Sequence, residues 1–412
     1  MEHVKQSYIK NPPFPNQYAP EFLVLDRGEG VYLFDTAGNK YLDFGSGIAV
    51  NALGYGREDL ARIAYEQMKK LIHVSNLFTT GPAVHLARKL ISAFPGSRFS
   101  AVHFGNSGSE ANETAIKYAR LYAQRKRGPG NHKLLCFSTA FHGRTMGALS
   151  CTPSPKYQQP FVPLVDGVVT TPYNDTASIE KTIESSFAGV IVEVLQGEGG
   201  LTSMTPEFAE ALNRLCAQHD VILIADEVQT GLGRTGTLFA SEQVGLRPDI
   251  ITLSKPLAGG LPLSATLTPP KINDLLHVGE HGTTFGGGPV TAAVGSHVFD
   301  TIAKPEFLRS VEEKGKLLTE KLQNLHKLLP DRIQEIRGMG LLKGIVVDFP
   351  NGSGGEHGEL IPEIMKRCRE KGLLILRSGT NVIRIAPPLI ISKEELEAGT
   401  AILQSVLEES AR

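Results

Sequence analysis

The sequence predicts an α/β fold: a mainly parallel central sheet covered by helices, with a smaller α+β domain behind it. Three observations carry this expectation. Between residues 101 and 253, short apolar runs rich in β-branched residues alternate with longer amphipathic segments, the pattern of strands joined by helical crossovers. The runs are apolar at nearly every position, as in strands buried on both faces. After about residue 305 the alternation stops, and a long charged helical pattern leads into mixed segments around a Gly-rich stretch at 351–358. Three parts are therefore expected. Residues 1–50 form an arm and hairpin packing with the small domain, 51–304 the large α/β domain, and 305–412 the C-terminal small α+β domain.

Taken in order, residues 11–20 are Pro-rich and predict no regular structure. Residues 30–44 read as a hairpin turning through Ala37-Gly38-Asn39. Two amphipathic helices follow, at 57–70 and 82–94. Strands are expected at 101–104, 133–137, 189–195, 221–225 and 250–253, with helices at 109–124 and 206–219 among them. The latter opens with Thr205 as cap and Pro206 in the first turn. A helix at 306–328 begins the last part.

Composition narrows the function. The chain has 412 residues, 41% of them hydrophobic, and a formal net charge of -1, enough for a large core and no electrostatic case for nucleic acid or an anionic membrane. Small molecules are the expected partners. Cys136, Cys151, Cys216 and Cys368 are widely spaced and form no CxxC, so neither a metal site nor a disulfide framework is expected, and reducing cytoplasm fits. Residues 1–10 lack the apolar core of a signal peptide, and no run approaches the length of a bilayer span.

Two strand ends carry the chemistry. The run at 221–225 ends on Asp226-Glu227, and that at 250–253 ends two residues before Lys255. Ligands of open α/β sheets bind outside the carboxyl ends of strands, so an acid and a lysine there can meet across one crevice. Pyridoxal 5'-phosphate (PLP) chemistry wants this pair: the amine forms a Schiff base with the aldehyde, and the carboxylate keeps the pyridine nitrogen protonated. Taken alone, each residue is more often a helix cap or a strand-end charge.

A phosphate site is offered by Gly105-Asn106-Ser107-Gly108-Ser109-Glu110, between a strand and a helix, although a capping box of Ser107 with Glu110 explains part of it. Thr283-Thr284-Phe285-Gly286-Gly287-Gly288 is a second Gly-rich helix entry. Phe141-His142-Gly143-Arg144 follows another strand, where an aromatic ring can stack on a flat cofactor and an arginine can grip a carboxylate. Gly231-Leu232-Gly233-Arg234-Thr235-Gly236 matches the dinucleotide-binding GxGxxG, but residues 226–230 intervene where that fingerprint needs a tight turn.

Together Asn106 to Asn112, Phe141-His142-Gly143-Arg144, Glu193 with Gln196-Gly197-Glu198-Gly199-Gly200, Asp226-Glu227-Val228-Gln229, Gly233-Arg234-Thr235-Gly236 and Lys255 resemble the class III, or omega, aminotransferases of PLP fold type I. Within that class Gly47 to Val50, His73 to Asn76, Arg337 to Leu341 and Arg384 to Pro387 are most similar to acetylornithine aminotransferase. The resemblance implies that Lys255 carries the cofactor, Asp226 pairs with its ring nitrogen, Gln229 lies near its 3-hydroxyl and Phe141 stacks on it. It also places Glu227 and Val228 at the cofactor. Gly108, Ser109 and, from a partner subunit, Thr284 would hold the phosphate. Arg144 and Thr283 would contact substrate. Arg384 would take the α-carboxylate of glutamate, and Glu198 would neutralise Arg384 while an amine donor is bound. A homodimer with a shared site follows.

The implied reaction moves the terminal amino group of N2-acetylornithine, or a close omega-amino donor, to 2-oxoglutarate, giving a semialdehyde and glutamate. Amine and 2-oxo acid are thus the small-molecule substrates. Ornithine or 4-aminobutyrate as donor is the alternative, and an NAD-dependent oxidoreductase or a non-catalytic binding protein on the same fold is the remote one. Val194, Gly288 and Tyr55-Gly56-Arg57-Glu58 depart from the family pattern and bear on the choice of donor.

Overall fold

The computed structural model describes residues 14–15, 23–94, 96, 98–348 and 360–409; the Pro-rich arm falls almost wholly outside them, and the Gly-rich stretch at 351–358 entirely so. At its centre is a seven-stranded sheet in the spatial order Ala101–Gly105, Ser264–Thr268, Ile250–Leu253, Ile222–Asp226, Phe187–Glu193, Lys133–Phe137, Val168–Thr171. Four of its six pairings are parallel. The other two flank Ser264–Thr268, which runs against both neighbours. This strand was missed because Ser264, Thr266 and Thr268 break its apolar run. The Thr266 hydroxyl donates to the Ala111 carbonyl at 3.0 Å, so burial does not leave that group without a partner. Val168–Thr171 and the N-terminal Leu25–Glu29 were also missed.

Alternation decides which face each residue covers. Along the strand Ile222–Asp226, Ile222 and Ile224 pack with Ala115, Ile116 and Ala119 of the helix Gly108–Arg127. Leu223 and Ala225 belong to the opposite core, with Phe208 and Leu212 of the helix Pro206–Gln218. Thr205 caps this helix as expected, its hydroxyl accepting from the Phe208 N–H at 3.2 Å. Both faces are therefore covered, and loops are left only at the strand ends.

The C-terminal part builds its own four-stranded sheet from Ile333–Met339, Leu342–Val347, Val382–Ile385 and Leu376–Ser378, in that order, backed by the helices Pro305–Leu328 and Lys393–Glu409. The N-terminal hairpin, strands Tyr32–Asp35 and Lys40–Asp43, pairs with Leu373–Leu374: the Leu42 N–H donates to the Gly372 carbonyl and the Phe44 N–H to that of Leu374, both at 2.8 Å. Phe44 presses so closely on Gly399 that a Cβ there would lie 2.1 Å from the ring.

The GxGxxG segment is a joint in the core. Arg234 is 1% exposed and donates to the carbonyls of Leu341 (3.2 Å) and Pro387 (2.5 Å). Gly233, at φ 85°, lets the chain pass where a Cβ would meet Ile302 at 2.9 Å. The next helix, Ser241–Val244, has four residues. A phosphate-binding turn needs backbone N–H groups open to a ligand at a helix start, and this segment is buried against the C-terminal part instead.

Candidate active site

The carboxyl ends of three adjacent strands converge. Asp226 closes Ile222–Asp226 beside Glu193, its register partner in Phe187–Glu193, while Lys255 starts the turn after Ile250–Leu253. They line one cavity of about 160 Å³ with Gly108, Ser109, Phe141, His142, Val228 and Gln229. The two residues singled out at separate strand ends thus share a crevice.

Asp226 is held from three sides. Its Oδ2 accepts from His142 Nδ1 and Asn112 Nδ2, both at 2.8 Å, and its Oδ1 accepts from the Val228 N–H at 3.0 Å. Asn112 is itself fixed, donating to the His142 carbonyl at 2.7 Å and accepting from the Thr252 hydroxyl at 2.8 Å. Burial disfavours the charged form of His142, but the hydrogen bond and charge of Asp226, with Glu193 beyond, outweigh it and raise its proton affinity. A carboxylate oriented in this way suits a cationic ring nitrogen.

Lys255 is pushed the other way. Burial and then the charge of Arg384 lower its affinity for a proton, against the pull of Asp226, Glu198 and Glu193. Among the described residues its amine has no hydrogen-bond or ion-pair partner, so it is free to react. An amine of lowered affinity spends more of its time neutral, the form that acts as nucleophile and base.

At the helix start, Ser107 accepts from the Glu110 N–H at 3.3 Å, and Glu110 reaches back to Asn106 rather than Ser107. The cap therefore exists, yet first-turn N–H groups lack helical partners, and Gly108 and Ser109, at the positive end of the helix dipole, line the cavity. A Cβ on Gly108 would lie 2.6 Å from Val228. Among the described residues Gln229 Oε1 is buried without a partner, an acceptor suited to a ring hydroxyl. Phe141 is kept in place by its N–H, which donates to Glu193 Oε1 at 2.9 Å. These features fit a flat, phosphorylated pyridine.

Glu227 corrects the expectation. Its carboxylate accepts from the hydroxyls of Thr230 and Ser241, both at 2.7 Å, and from the N–H groups of Ala240 and Ser241. It points into the core, because consecutive residues leaving a strand face opposite ways. Arg384 is buried and donates to Glu198 and to the Gly197 carbonyl, which lies 3.3 Å away. Arg144 is exposed, stacked on Tyr157, with its N–H donating to Ser109 Oγ at 3.3 Å. Thr283 and Thr284 do not join this cavity; Thr284 lines another with His73 and Phe285, and Asn76 donates to the Thr283 carbonyl at 3.1 Å.

His142, Asn112 and Glu193 had no assigned role from sequence. Glu193 ends a strand as Asp226 does, and that rule could have found it; burial beside Asp226 raises its affinity to about 7. Asn112 gives no sequence signal, being one polar residue on a helix.

Residues 14–407 match the family model "Aminotransferase class-III". The acetylornithine aminotransferase of Caldanaerobacter subterraneus is 41% identical over 390 residues, spanning 94% of this chain and 95% of that one. Among solved structures, N-acetylornithine aminotransferase from Stenotrophomonas maltophilia superposes with a TM-score of 0.81 at 33% identity, covering 96% of this chain and 98% of that chain. Ornithine aminotransferase from Toxoplasma gondii, with PLP partly occupying its active site, gives 0.89 at 29% identity over 97% and 94%. With a full-length family match and a cavity built to its chemistry, the chain belongs to the class III aminotransferases, enzymes of PLP fold type I that depend on pyridoxal 5'-phosphate.

Proposed function

We propose that this aminotransferase takes the terminal amino group of N2-acetylornithine and passes it to 2-oxoglutarate. The observation that carries this reading is the unequal pair of arginines, Arg144 open and Arg384 masked by Glu198. A donor with one carboxylate needs one cation, and the Glu198 screen leaves it one. A dicarboxylate acceptor has a second charge with which to displace Glu198 from Arg384. The names of the relatives supply the acetyl group; the pair of arginines accounts for the charge pattern.

When bound, the cofactor supplies an electrophilic carbon and an electron sink for the bond broken at the amine-bearing carbon. The chain's own residues do the rest. Gly108 and Ser109 bind phosphate, Phe141 covers the ring, and Gln229 meets its hydroxyl. Val228 closes the cavity wall behind Gly108. Asp226, braced by His142 and Asn112, holds a proton on the ring nitrogen. Lys255 would take the proton from the amine-bearing carbon of the substrate and deliver it to the former aldehyde carbon of the cofactor, across the intervening nitrogen. Thr283, which does not line this chain's own cavity, would contact substrate across the subunit contact, as Thr284 would the phosphate.

A homodimer is part of the proposal, with Thr284 serving the partner's phosphate. Leu77 and Phe78, 87% and 70% exposed, and Phe285 at 67% stand near the Thr284 segment, an apolar surface of the kind another chain covers. A cytoplasmic place of work is supported by four buried, free cysteines. Among the described residues, no helix is long and apolar enough to cross a membrane.

A donor panel tests the substrate. Glutamate release from 2-oxoglutarate is expected to be at least about tenfold faster, as kcat/KM, with N2-acetylornithine than with ornithine or 4-aminobutyrate. Preference for ornithine, the donor named for the Toxoplasma neighbour, would overturn the choice of donor and leave the aminotransferase chemistry standing.

A further inference from the structure

We propose that Tyr157 is a positioning residue that sets the preference for carboxylate-bearing donors, by holding the Arg144 guanidinium across the face of its ring at the cavity edge. The inference rests on the reading that Arg144 takes the donor's carboxylate.

The geometry is specific. The guanidinium carbon of Arg144 lies 3.7 Å from the Tyr157 ring centre and 5.5 Å from that of Phe141. The two rings meet edge to face, with centroids 6.3 Å apart at 85°. A guanidinium stacked on a ring uses its face and leaves its N–H fork free in the plane, the arrangement that bidentate carboxylate binding needs. Among the described residues no hydrogen bond or ion pair takes up the Arg144 side chain. An exposed arginine without such a platform samples many rotamers, and ordering it on binding costs affinity.

Tyr157 is well placed to be that platform. It sits on the short helix Pro155–Gln158, and Gln158 donates to the carbonyls of Leu149 (3.0 Å) and Ser150 (3.3 Å) at the end of the helix Met146–Ser150. That helix starts two residues after Arg144. Its Gly147 N–H donates to Glu113 at 2.7 Å, on the helix whose first turn cradles the phosphate. Ring, guanidinium and cofactor cradle are thus braced on one frame. The Tyr157 hydroxyl makes no hydrogen bond among the described residues, so the ring face is what counts, and phenylalanine should replace it.

The test is steady-state kinetics of the PLP-loaded enzyme with the best carboxylate-bearing donor of the panel. Tyr157→Leu is expected to raise the donor KM about five- to tenfold while kcat stays within about twofold, and Tyr157→Phe to keep the wild-type KM. Arg144→Ala supplies the reference. If it raises KM and Tyr157→Leu does not, the positioning role is wrong and the role of Arg144 stands. If neither raises KM, Arg144 is not the carboxylate site and both fall. A fall in kcat alone, or a phenylalanine variant behaving as the leucine one, marks a structural part for Tyr157 and overturns the inference. Should Tyr157→Leu fail to fold, Gln158→Ala keeps the ring and frees its helix; a smaller rise in KM is expected, and an unchanged KM contradicts the proposal.

Discussion

Replacing Lys255 with alanine is expected to reduce turnover at least about ten thousandfold and to remove the visible band of the bound cofactor. The size follows from two losses at one atom. In the proposed reaction the amine both anchors the cofactor and moves the proton, and among the described residues no second lysine lines the cavity to replace it. Its environment is tuned to this work: burial and Arg384 lower its proton affinity, so that the neutral base is reached more readily than in water. Retained activity with a retained band would place the anchor elsewhere.

Asp226→Asn should lower kcat about a hundredfold or more and weaken cofactor binding, with the fold intact. The substitution keeps size and removes charge. An asparagine amide cannot accept from His142 and Asn112 at one atom while balancing a cation at the ring, so the neighbours would lose the group they are arranged around. Because buried His142 loses its charged acceptor, the melting temperature is expected to fall by a few degrees while the fold survives. Wild-type kinetics in the variant would show that the carboxylate does not sustain the charge of the ring.

The sequence made the strand ends legible and left the lattice behind them unread. Asp226 and Lys255 could be found because short apolar runs locate buried strands, and chemistry gathers where parallel strands finish. Ser264–Thr268 escaped because its hydroxyls hide a buried strand from any reading based on apolar runs, and it is the strand that makes the sheet mixed. Glu227 was misassigned by adjacency: it shares a motif with Asp226 and lies on the other side of the chain. Asn112 and Tyr157 illustrate the deeper limit. Their partners, Asp226 and Arg144, are fixed by tertiary packing, and no local pattern announces such pairs.

The departures from the family pattern have local explanations in part. Tyr55 donates its hydroxyl to Asp43 Oδ2 at 2.5 Å, with Asp43 buried beneath, which ties the residues after Leu53-Gly54 to the N-terminal hairpin. Val194 is fully buried where the chain leaves the central sheet between Glu193 and Leu195. Nothing in the structure explains Gly288.

The central claim is a covalent bond between one lysine and the cofactor, beside one carboxylate. Borohydride reduction of the PLP-loaded enzyme, followed by proteolysis and mass spectrometry, reads that bond directly. The account predicts a phosphopyridoxyl group on the peptide containing Lys255 and on no other; the same group on a different lysine, or on none, would contradict it.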